Sequence, residues 1–188
     1  MMARPAKMPH SGLMNPKDVL EVAIKAVVPT TNGSAVFIGN QEKVFVIYTD
    51  PLVGNAISTL IQGDVRERPL THDLMGMLLT SLGAKVERVI INDLKGATYY
   101  GRMIITVENE LQQRKVIELD ARPSDCLAMA TQQGSPIYIT RAVWNEVENM
   151  SEVFEKMDQS PSPDQVPHDE DGDPPISEDA GEPGDKIR

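Results

Sequence analysis

The sequence has few aromatic residues, one cysteine and no long hydrophobic run. Aromatic residues make up 4% of the 188 residues, which leaves few flat side chains on which nucleobases could stack. Cys126 has no second cysteine with which to form an internal disulfide, as is usual in a reducing compartment. The longest apolar stretches, at residues 44–48 and 103–107, are far shorter than the roughly 20 residues that cross a bilayer. These absences predict a cytoplasmic protein without a membrane-spanning segment.

The acidic charge of the chain is concentrated at its C-terminal end. The formal net charge is -10, and residues 158–188 hold ten acidic and two basic residues. The rest of the chain is nearly balanced, with 18 acidic and 16 basic residues. From residue 160 onward, proline and small polar residues replace large apolar ones, so this segment cannot bury enough surface to offset its chain entropy.

We therefore predict three regions. Residues 1–15 form a flexible N-terminus without the apolar core of a secretory signal, residues 16–157 a folded domain, and residues 158–188 a disordered acidic tail. The tail either solvates the domain or competes with a phosphate backbone for the basic residues of the domain. Because the domain is nearly neutral, nucleic-acid binding would depend on a local patch of charge.

The first half of the domain has the pattern of three strands followed by a helix. Alternating apolar and polar residues at 20–27 predict a strand, and shorter apolar runs at 35–38 and 44–48 predict two more. A helix is expected at residues 51–61, with Asp50 as its N-cap and Gly63 as its stop.

The second half repeats this order with one more helix in front of it. That helix runs from Pro69 or Leu70 to Leu82, with Thr71 as its expected cap. Its apolar face carries Leu74, Met75, Leu78 and Leu82. Three strands follow at residues 85–92, 98–107 and 114–120, then a helix at 123–133 and a short strand at 137–140. One last amphipathic helix is expected to contain Val143, Trp144, Val147 and Met150.

The fold class predicted from this order is α+β, with two β-meander-plus-helix units. A strand, a helix and a glycine stop occur at residues 43–63 and again at 114–134. This similarity of pattern suggests an internal duplication, with either two similar sheets or one wrapped sheet.

Three polar segments, at residues 68–75, 92–101 and 119–130, are the candidate functional regions. Two of them enter a helix through an Arg-Pro pair, at Arg68 and Arg122. Helix N-termini present free amide groups and the positive end of the helix dipole, where a phosphate group would bind. The candidate substrate-binding residues are Arg68, Arg122 and Ser124. The candidate catalytic residues are His72, Asp73, Asp93, Asp120 and Asp125.

Each candidate also has a structural interpretation. Thr71 and Ser124 have the residue type and position of helix caps. Carboxylates in first helical turns, such as Asp73 and Asp125, are stabilised by the helix dipole. The arginines can bind phosphate or pair with Asp73, Asp120 or Asp125. His72 is the only histidine inside the predicted domain, so it is either a general base or a hydrogen-bonded histidine of a first turn.

Three aspartates are candidate ligands for a metal ion. Asp93, Asp120 and Asp125 could hold a divalent cation such as Mg²⁺ or Mn²⁺ if the fold brings them together. The sequence has no His/Cys cluster with zinc spacing and no phosphate-binding glycine loop. Cys126 lies in an apolar helical pattern and is expected to be a packed core thiol.

The segments RPLTHDLM, LLTSLGAKVERVIINDLK and IELDARPSDCLAMA, in this order, resemble the signature of the bifunctional nuclease family. This resemblance implies an α+β fold, self-association, and a nuclease activity of some relatives on both RNA and DNA. The sequence departs from the family at residues 95–98, which weakens any role for that loop. The alternative from another class is a non-catalytic binding or regulatory module for an anionic ligand or a protein partner.

Overall fold

The computed structural model describes residues 18–63, 67–108 and 113–158. The predicted N-terminus at residues 1–15 lies outside these ranges, as does the predicted tail apart from Asp158. The division of the chain into these three regions therefore stays a prediction.

The strands and helices of the described residues follow the predicted order, with one additional helix at the end. The strands are β1 (Val19–Thr30), β2 (Gly33–Gly39), β3 (Val44–Thr49), β4 (Ala84–Lys95), β5 (Thr98–Glu108), β6 (Arg114–Ala121) and β7 (Ile137–Thr140). The helices are α1 (Pro51–Gln62), α2 (Thr71–Ser81), α3 (Pro123–Gln133), α4 (Arg141–Glu146) and α5 (Ser151–Asp158). Within these ranges, no helix is both long and apolar enough to cross a membrane.

The strands form one mixed seven-stranded sheet in the order β3-β2-β1-β7-β4-β5-β6. The meander β1–β2–β3 lies on one side of β7, and the meander β4–β5–β6 lies on the other. β7 pairs antiparallel with β1 and parallel with β4, so it joins the two meanders into a single sheet. The α+β prediction is confirmed, and the two meanders share one sheet. The internal duplication stays a prediction.

The main core lies between this sheet and the helices. α1 packs on β1 and β2, while α3 packs on β4 and β5 and also contacts α1. Among the largest fully buried side chains are Phe45, Ile57, Ile91 and Leu127. A smaller cluster around Phe37 is covered by Phe154 of α5, with ring centroids 5.6 Å apart. Because α1 and α3 are fixed by this burial, their N-terminal ends have fixed positions on the domain.

Local signals explain where α1 and α3 start and stop. The Asp50 carboxylate accepts hydrogen bonds from the backbone N–H groups of Leu52 and Val53, at 3.1 and 3.0 Å. These are amide groups that have no partner within the helix, so the N-cap prediction is confirmed. Both helices end at a glycine with positive φ, 71° at Gly63 and 63° at Gly134, a conformation that other residues rarely adopt.

Three local predictions were wrong. The N-cap of α2 is Leu70 rather than Thr71, and the N-cap of α3 is Arg122 rather than Ser124. The predicted last helix is shorter than expected, because α4 ends at Glu146 and Val147 has an extended backbone with φ -67° and ψ 144°. After this break α5, which was not predicted, begins at Ser151. An apolar period of helical spacing continues across this break, which is why the sequence pattern did not show it.

α2 exposes most of its apolar face. Leu74, Met75, Leu78 and Leu82 lie along one side as predicted, but they are 60%, 42%, 57% and 64% exposed. α2 instead contacts α3 and β4, with Gly76 as its buried residue and Leu79 packed partly against the core. The helix therefore packs on the domain and leaves a large apolar surface uncovered.

Candidate functional site

A cleft of about 890 Å³ lies where the N-terminal ends of α1, α2 and α3 meet the end of β6. β3 leads directly into Asp50 and α1, and β6 leads through Arg122 into α3. α2 packs across α3 and completes the wall. Polar residues lining the cleft are Asp50, Asn55, Thr71, His72, Asp120, Arg122 and Asp125. Three helix N-termini therefore border one cavity, and their dipoles favour negative charge there.

His72, Arg122 and Asp125 form a cluster of polar contacts on the cleft wall. The Arg122 guanidinium donates from Nε and Nη2 to the two oxygens of Asp125, at 2.8 and 3.0 Å. Nε2 of His72 lies 3.5 Å from Oδ1 of Asp125, the oxygen that also accepts from Nη2 of Arg122. This bidentate contact with Arg122 holds the carboxylate in a fixed orientation, and His72 comes to it from a different helix.

Burial and charge act in opposite directions on Asp125. Desolvation raises its pKa, but the hydrogen bonds and positive charge of Arg122 outweigh it, with a further lowering by His72, so the pKa of Asp125 lies below its usual value. The His72 side chain is 12% exposed and the Asp125 side chain 29%. Asp125 is therefore a carboxylate at neutral pH, mostly covered by the protein but open to the cleft.

Arg122 has donors left over for a ligand. A guanidinium carries five N–H groups, and the contact with Asp125 uses one on Nε and one on Nη2. The Arg122 side chain is 66% exposed, so its remaining N–H groups face solvent at the edge of the cleft. The sequence left open whether this arginine binds phosphate or an aspartate, and this geometry allows both.

Asp73 lies outside the cleft, on the other side of α2. Its Oδ2 accepts a hydrogen bond from the backbone N–H of Leu70 at 2.8 Å. Its Oδ1 lies 3.4 Å from Nε2 of Gln132, which also donates to the backbone carbonyl of His72 at 2.9 Å. Asp73 and Gln132 thus hold the first turn of α2 against α3, which positions His72.

Three other candidate residues are not brought to the cluster. Asp93 lies near the β4–β5 turn, where Lys95 pairs with it at 2.7 Å and lowers its pKa. Arg68 is exposed in the segment before α2 and does not line the cleft. Ser124 is buried in the first turn of α3, with 8% of its surface exposed.

Asp120 borders the cleft without pointing into the cluster. It alternates with Leu119 and Ala121 along β6, and Ala121 packs on the core face of the sheet. Because successive side chains of a strand point to opposite faces of the sheet, the Asp120 carboxylate lies on the opposite face from Leu119. Of the eight predicted site residues, His72, Asp120, Arg122 and Asp125 line the cleft.

Asp93, Asp120 and Asp125 were the candidate ligands for Mg²⁺ or Mn²⁺. Across residues 18–63, 67–108 and 113–158, no group of three or more His, Cys, Asp or Glu side chains could hold a metal ion. In particular, the turn that carries Asp93 does not line the cleft that Asp120 and Asp125 share.

Two contributors to the site were missed from the sequence. Asp50 was predicted only as a helix cap, and Gln132 was not considered at all. A local pattern predicted the Asp50 cap. Its position near Arg122 depends on the tertiary arrangement of β3, which leads into Asp50, and of β6, which leads into Arg122. Gln132 is sixty residues away from His72 in sequence, and no local pattern connects them.

Together, the mixed sheet and the polar cleft at three helix N-termini define an α+β domain with a site suited to an anionic ligand. The chain belongs to the bifunctional nuclease domain family, whose profile matches residues 36–152. The matched stretch contains every polar residue named above as lining the cleft. The resemblance inferred from the three sequence segments is confirmed.

Curated relatives of this chain include two uncharacterized proteins of Mycobacterium tuberculosis, one from the CDC 1551 strain and one from the H37Rv strain. Each is 36% identical to this chain over 104 residues. That alignment covers 55% of this chain and 58% of each relative, so the chain spans less than two thirds of their length.

Proposed function

We propose that this protein is a nuclease that hydrolyses phosphodiester bonds in RNA, in DNA or in both, with a broad substrate range. The observation that carries the proposal is the cluster of His72, Asp125 and Arg122 at the wall of a ligand-sized cleft. Membership of the bifunctional nuclease domain family supports the same reaction class. The single cysteine, buried and unpaired, supports a cytoplasmic location.

Each residue of the cluster has a role that its geometry permits. The outward N–H groups of Arg122 bind the scissile phosphate, together with the free amides at the starts of α2 and α3. His72 accepts a proton from the attacking water at Nδ1, because its Nε2 faces Asp125. Asp125 orients the imidazole and stabilises the positive charge that it gains. The water oxygen bonds to phosphorus, the bond to the leaving oxygen breaks, and that oxygen takes a proton from solvent.

One carboxylate next to the cluster opposes the binding of a negatively charged substrate. Asp50 lines the same cleft as Arg122, and its negative charge contributes to raising the pKa of Arg122. The partial positive charges of three helix N-termini offset part of this repulsion. We therefore expect substrate binding to depend strongly on Arg122, since it is the cationic side chain lining the described part of the cleft.

The test is a cleavage assay with two matched substitutions. Asp125→Asn removes the charge that orients His72 while keeping nearly the same volume, so we expect activity on RNA and single-stranded DNA to fall at least 100-fold, the range of a lost acid–base group. Asp93→Asn makes the same chemical change at the β4–β5 turn, and its activity should equal that of the wild type. The substrates are labelled, and each protein is assayed with Mg²⁺, with Mn²⁺ and with chelator. Circular dichroism confirms that both variants fold.

Equal cleavage by all three proteins would assign the activity to a contaminant and contradict the proposal. The binding-module alternative would then lead, because the exposed apolar residues of the cleft, such as Leu52 and Leu78, suit a non-catalytic partner as well. In that case the wild type should bind a labelled oligonucleotide or a protein partner without changing it.

We also propose that two copies of the chain associate through exposed apolar residues of α2 and its C-cap that do not line the cleft. Leu74, Met77 and Leu82 are each more than half exposed and do not line the cleft. Residues 74–83 contain no charged residue, in a chain whose net charge of -10 otherwise keeps copies apart. Two α2 helices related by a two-fold axis can pack these residues against each other.

Sedimentation measurements test this association. The wild type should have the mass of a dimer, and the double variant Leu74→Glu with Leu82→Glu that of a single chain. Val153→Glu places the same charge on α5, at an exposed apolar position distant in sequence, and should remain dimeric. A wild type that stays a single chain over a hundredfold range of concentration would contradict this part of the proposal.

A further inference from the structure

The side of the cleft next to Arg122 is apolar. Leu52 of α1, Met75 and Leu78 of α2, and Leu119 of β6 all line it, and they are 83%, 42%, 57% and 45% exposed. Large side chains are normally covered unless they bind something, because exposed apolar surface is unfavourable in water. None of these four has a part in proton transfer or in phosphate binding, so the proposed chemistry does not account for them.

The polar and apolar parts of the cleft together match the two parts of a nucleotide. The charged part holds the outward face of Arg122 and the starts of α2 and α3, which suit a phosphate group. The apolar part offers flexible side chains without charge, and a nucleobase has two apolar faces. A volume of about 890 Å³ holds a nucleotide within the usual size of ligand sites.

We infer that the apolar part of the cleft holds one unpaired nucleobase of a single strand, while the adjoining phosphate lies at Arg122. This rests on the proposed function for the choice of substrate, and it assigns the substrate class: single-stranded RNA or DNA. A paired base is stacked and faces its partner strand, so entry of a duplex base requires unstacking and unpairing that cost a few kcal/mol.

Binding of this kind depends on the shape of the base and not on the hydrogen-bonding groups at its edge. The four apolar side chains cannot form hydrogen bonds with base edges, so they do not distinguish one sequence from another. The contact area alone favours a larger base, and purines should bind somewhat tighter than pyrimidines. This agrees with a broad substrate range and explains how a chain with 4% aromatic residues can still bind bases.

Binding measurements without catalysis test the inference. Adenosine 5′-monophosphate and ribose 5-phosphate differ only in the base, so the wild type should bind the nucleotide at least tenfold tighter in calorimetry. Leu78→Gln should weaken binding of the nucleotide about tenfold and leave binding of ribose 5-phosphate unchanged. Ile61→Gln makes a similar change at a position of α1 that is 51% exposed and does not line the cleft, and it should change neither affinity.

The outcomes separate this inference from the nuclease proposal. Equal affinity for the nucleotide and for ribose 5-phosphate would overturn the base site, and so would a Leu78→Gln variant that loses both to the same degree. Cleavage of duplex DNA as fast as single-stranded DNA would also overturn it. A protein that binds the nucleotide as expected but cleaves nothing would keep the base site and overturn the nuclease. If only an apolar peptide competes for the cleft, its occupant is a protein and the inference is wrong.

Discussion

The side-chain amide of Gln132 donates a hydrogen bond to the backbone carbonyl of His72 at 2.9 Å, and it fits there because residue 76 is glycine. A Cβ atom added at Gly76 would lie 2.1 Å from Oε1 of Gln132, so the amide would have to move. In the described residues Oε1 is buried and accepts no hydrogen bond, which makes this a costly place for a polar atom. The pair therefore fixes the first turn of α2, and with it His72, at some expense in stability.

Gly76→Ala should lower the stability of the wild type and raise that of the Gln132→Ala variant. Alanine favours a helix over glycine by about 1 kcal/mol. In the wild type, displacement of Gln132 removes a hydrogen bond to His72 worth roughly 0.5 to 1.5 kcal/mol and adds strain. In the Gln132→Ala background only the helix preference remains. Urea unfolding of the two single variants and the double variant gives the coupling energy. Additive free energies of unfolding would show that residue 76 and Gln132 do not interact.

Replacing Arg122 by glutamine should reduce stability at neutral pH but have little effect in acid. The pKa of Asp125 in the folded protein lies below its usual value mainly because of Arg122, which outweighs desolvation. The unfolded value is about 3.9. The pair therefore stabilises the fold above about pH 4, and this contribution disappears as the pH falls through the lower folded-state value. Because the Arg122 side chain is 66% exposed, the difference at pH 7 should be at most about 1 kcal/mol.

Unfolding in urea at a series of pH values measures this difference. Arg68→Gln is the matched control, because it removes the same charge from an exposed position that does not line the cleft. Its stability difference from the wild type should not change between pH 7 and acid. An Arg122→Gln difference that is constant with pH would assign the effect to lost packing.

Most of the fold was predictable because its signals are local. Asp50, Pro51 and Gly63 mark the limits of α1 within a few residues of sequence, and alternation or short apolar runs mark the strands. The joining of the two meanders by β7 was not predictable, because a four-residue apolar run has no pattern that selects its neighbours. The exposed face of α2 was also invisible, since an apolar stripe at helical spacing looks the same whether the domain or a ligand covers it.

The site was only partly predictable, because some of its contacts are local in sequence and others depend on tertiary packing. Arg122 and Asp125 share one helix turn, so their pairing was an expected alternative. The contact of His72 with Asp125 depends on how α2 packs on α3, and sequence spacing carries no information about that. Asp93 has the residue type of a catalytic carboxylate but lies at a turn with Lys95. Residue type thus indicates the kind of chemistry, and tertiary packing decides which residues meet.

The thiol of Cys126 should be unreactive in the folded protein. Cys126 is fully buried, and desolvation, with the nearby charges of Asp125 and Asp120, raises its pKa to about 12. Only the thiolate attacks thiol reagents, so labelling at pH 8 should wait for unfolding. The labelling rate should rise with urea in parallel with the unfolding rate, and Cys126→Ala should keep any nuclease activity at a cost of about 1–2 kcal/mol of stability. Rapid labelling of the native protein would contradict this prediction.

Deleting residues 159–188 should leave the thermal midpoint of the domain nearly unchanged. The deleted segment holds nine of the chain's acidic residues and few large apolar ones, so its composition predicts little contribution to a core. A fall of more than a few degrees in the midpoint would show that the segment packs on the domain.

The same deletion tests whether the tail competes with substrate, because a competing tail lowers the affinity for single-stranded nucleic acid, and more so at low salt. Tighter binding of an oligonucleotide by the truncated protein at low salt, lost at high salt, is the expected result. Unchanged affinity at both salt concentrations would leave the tail as a solubilising segment.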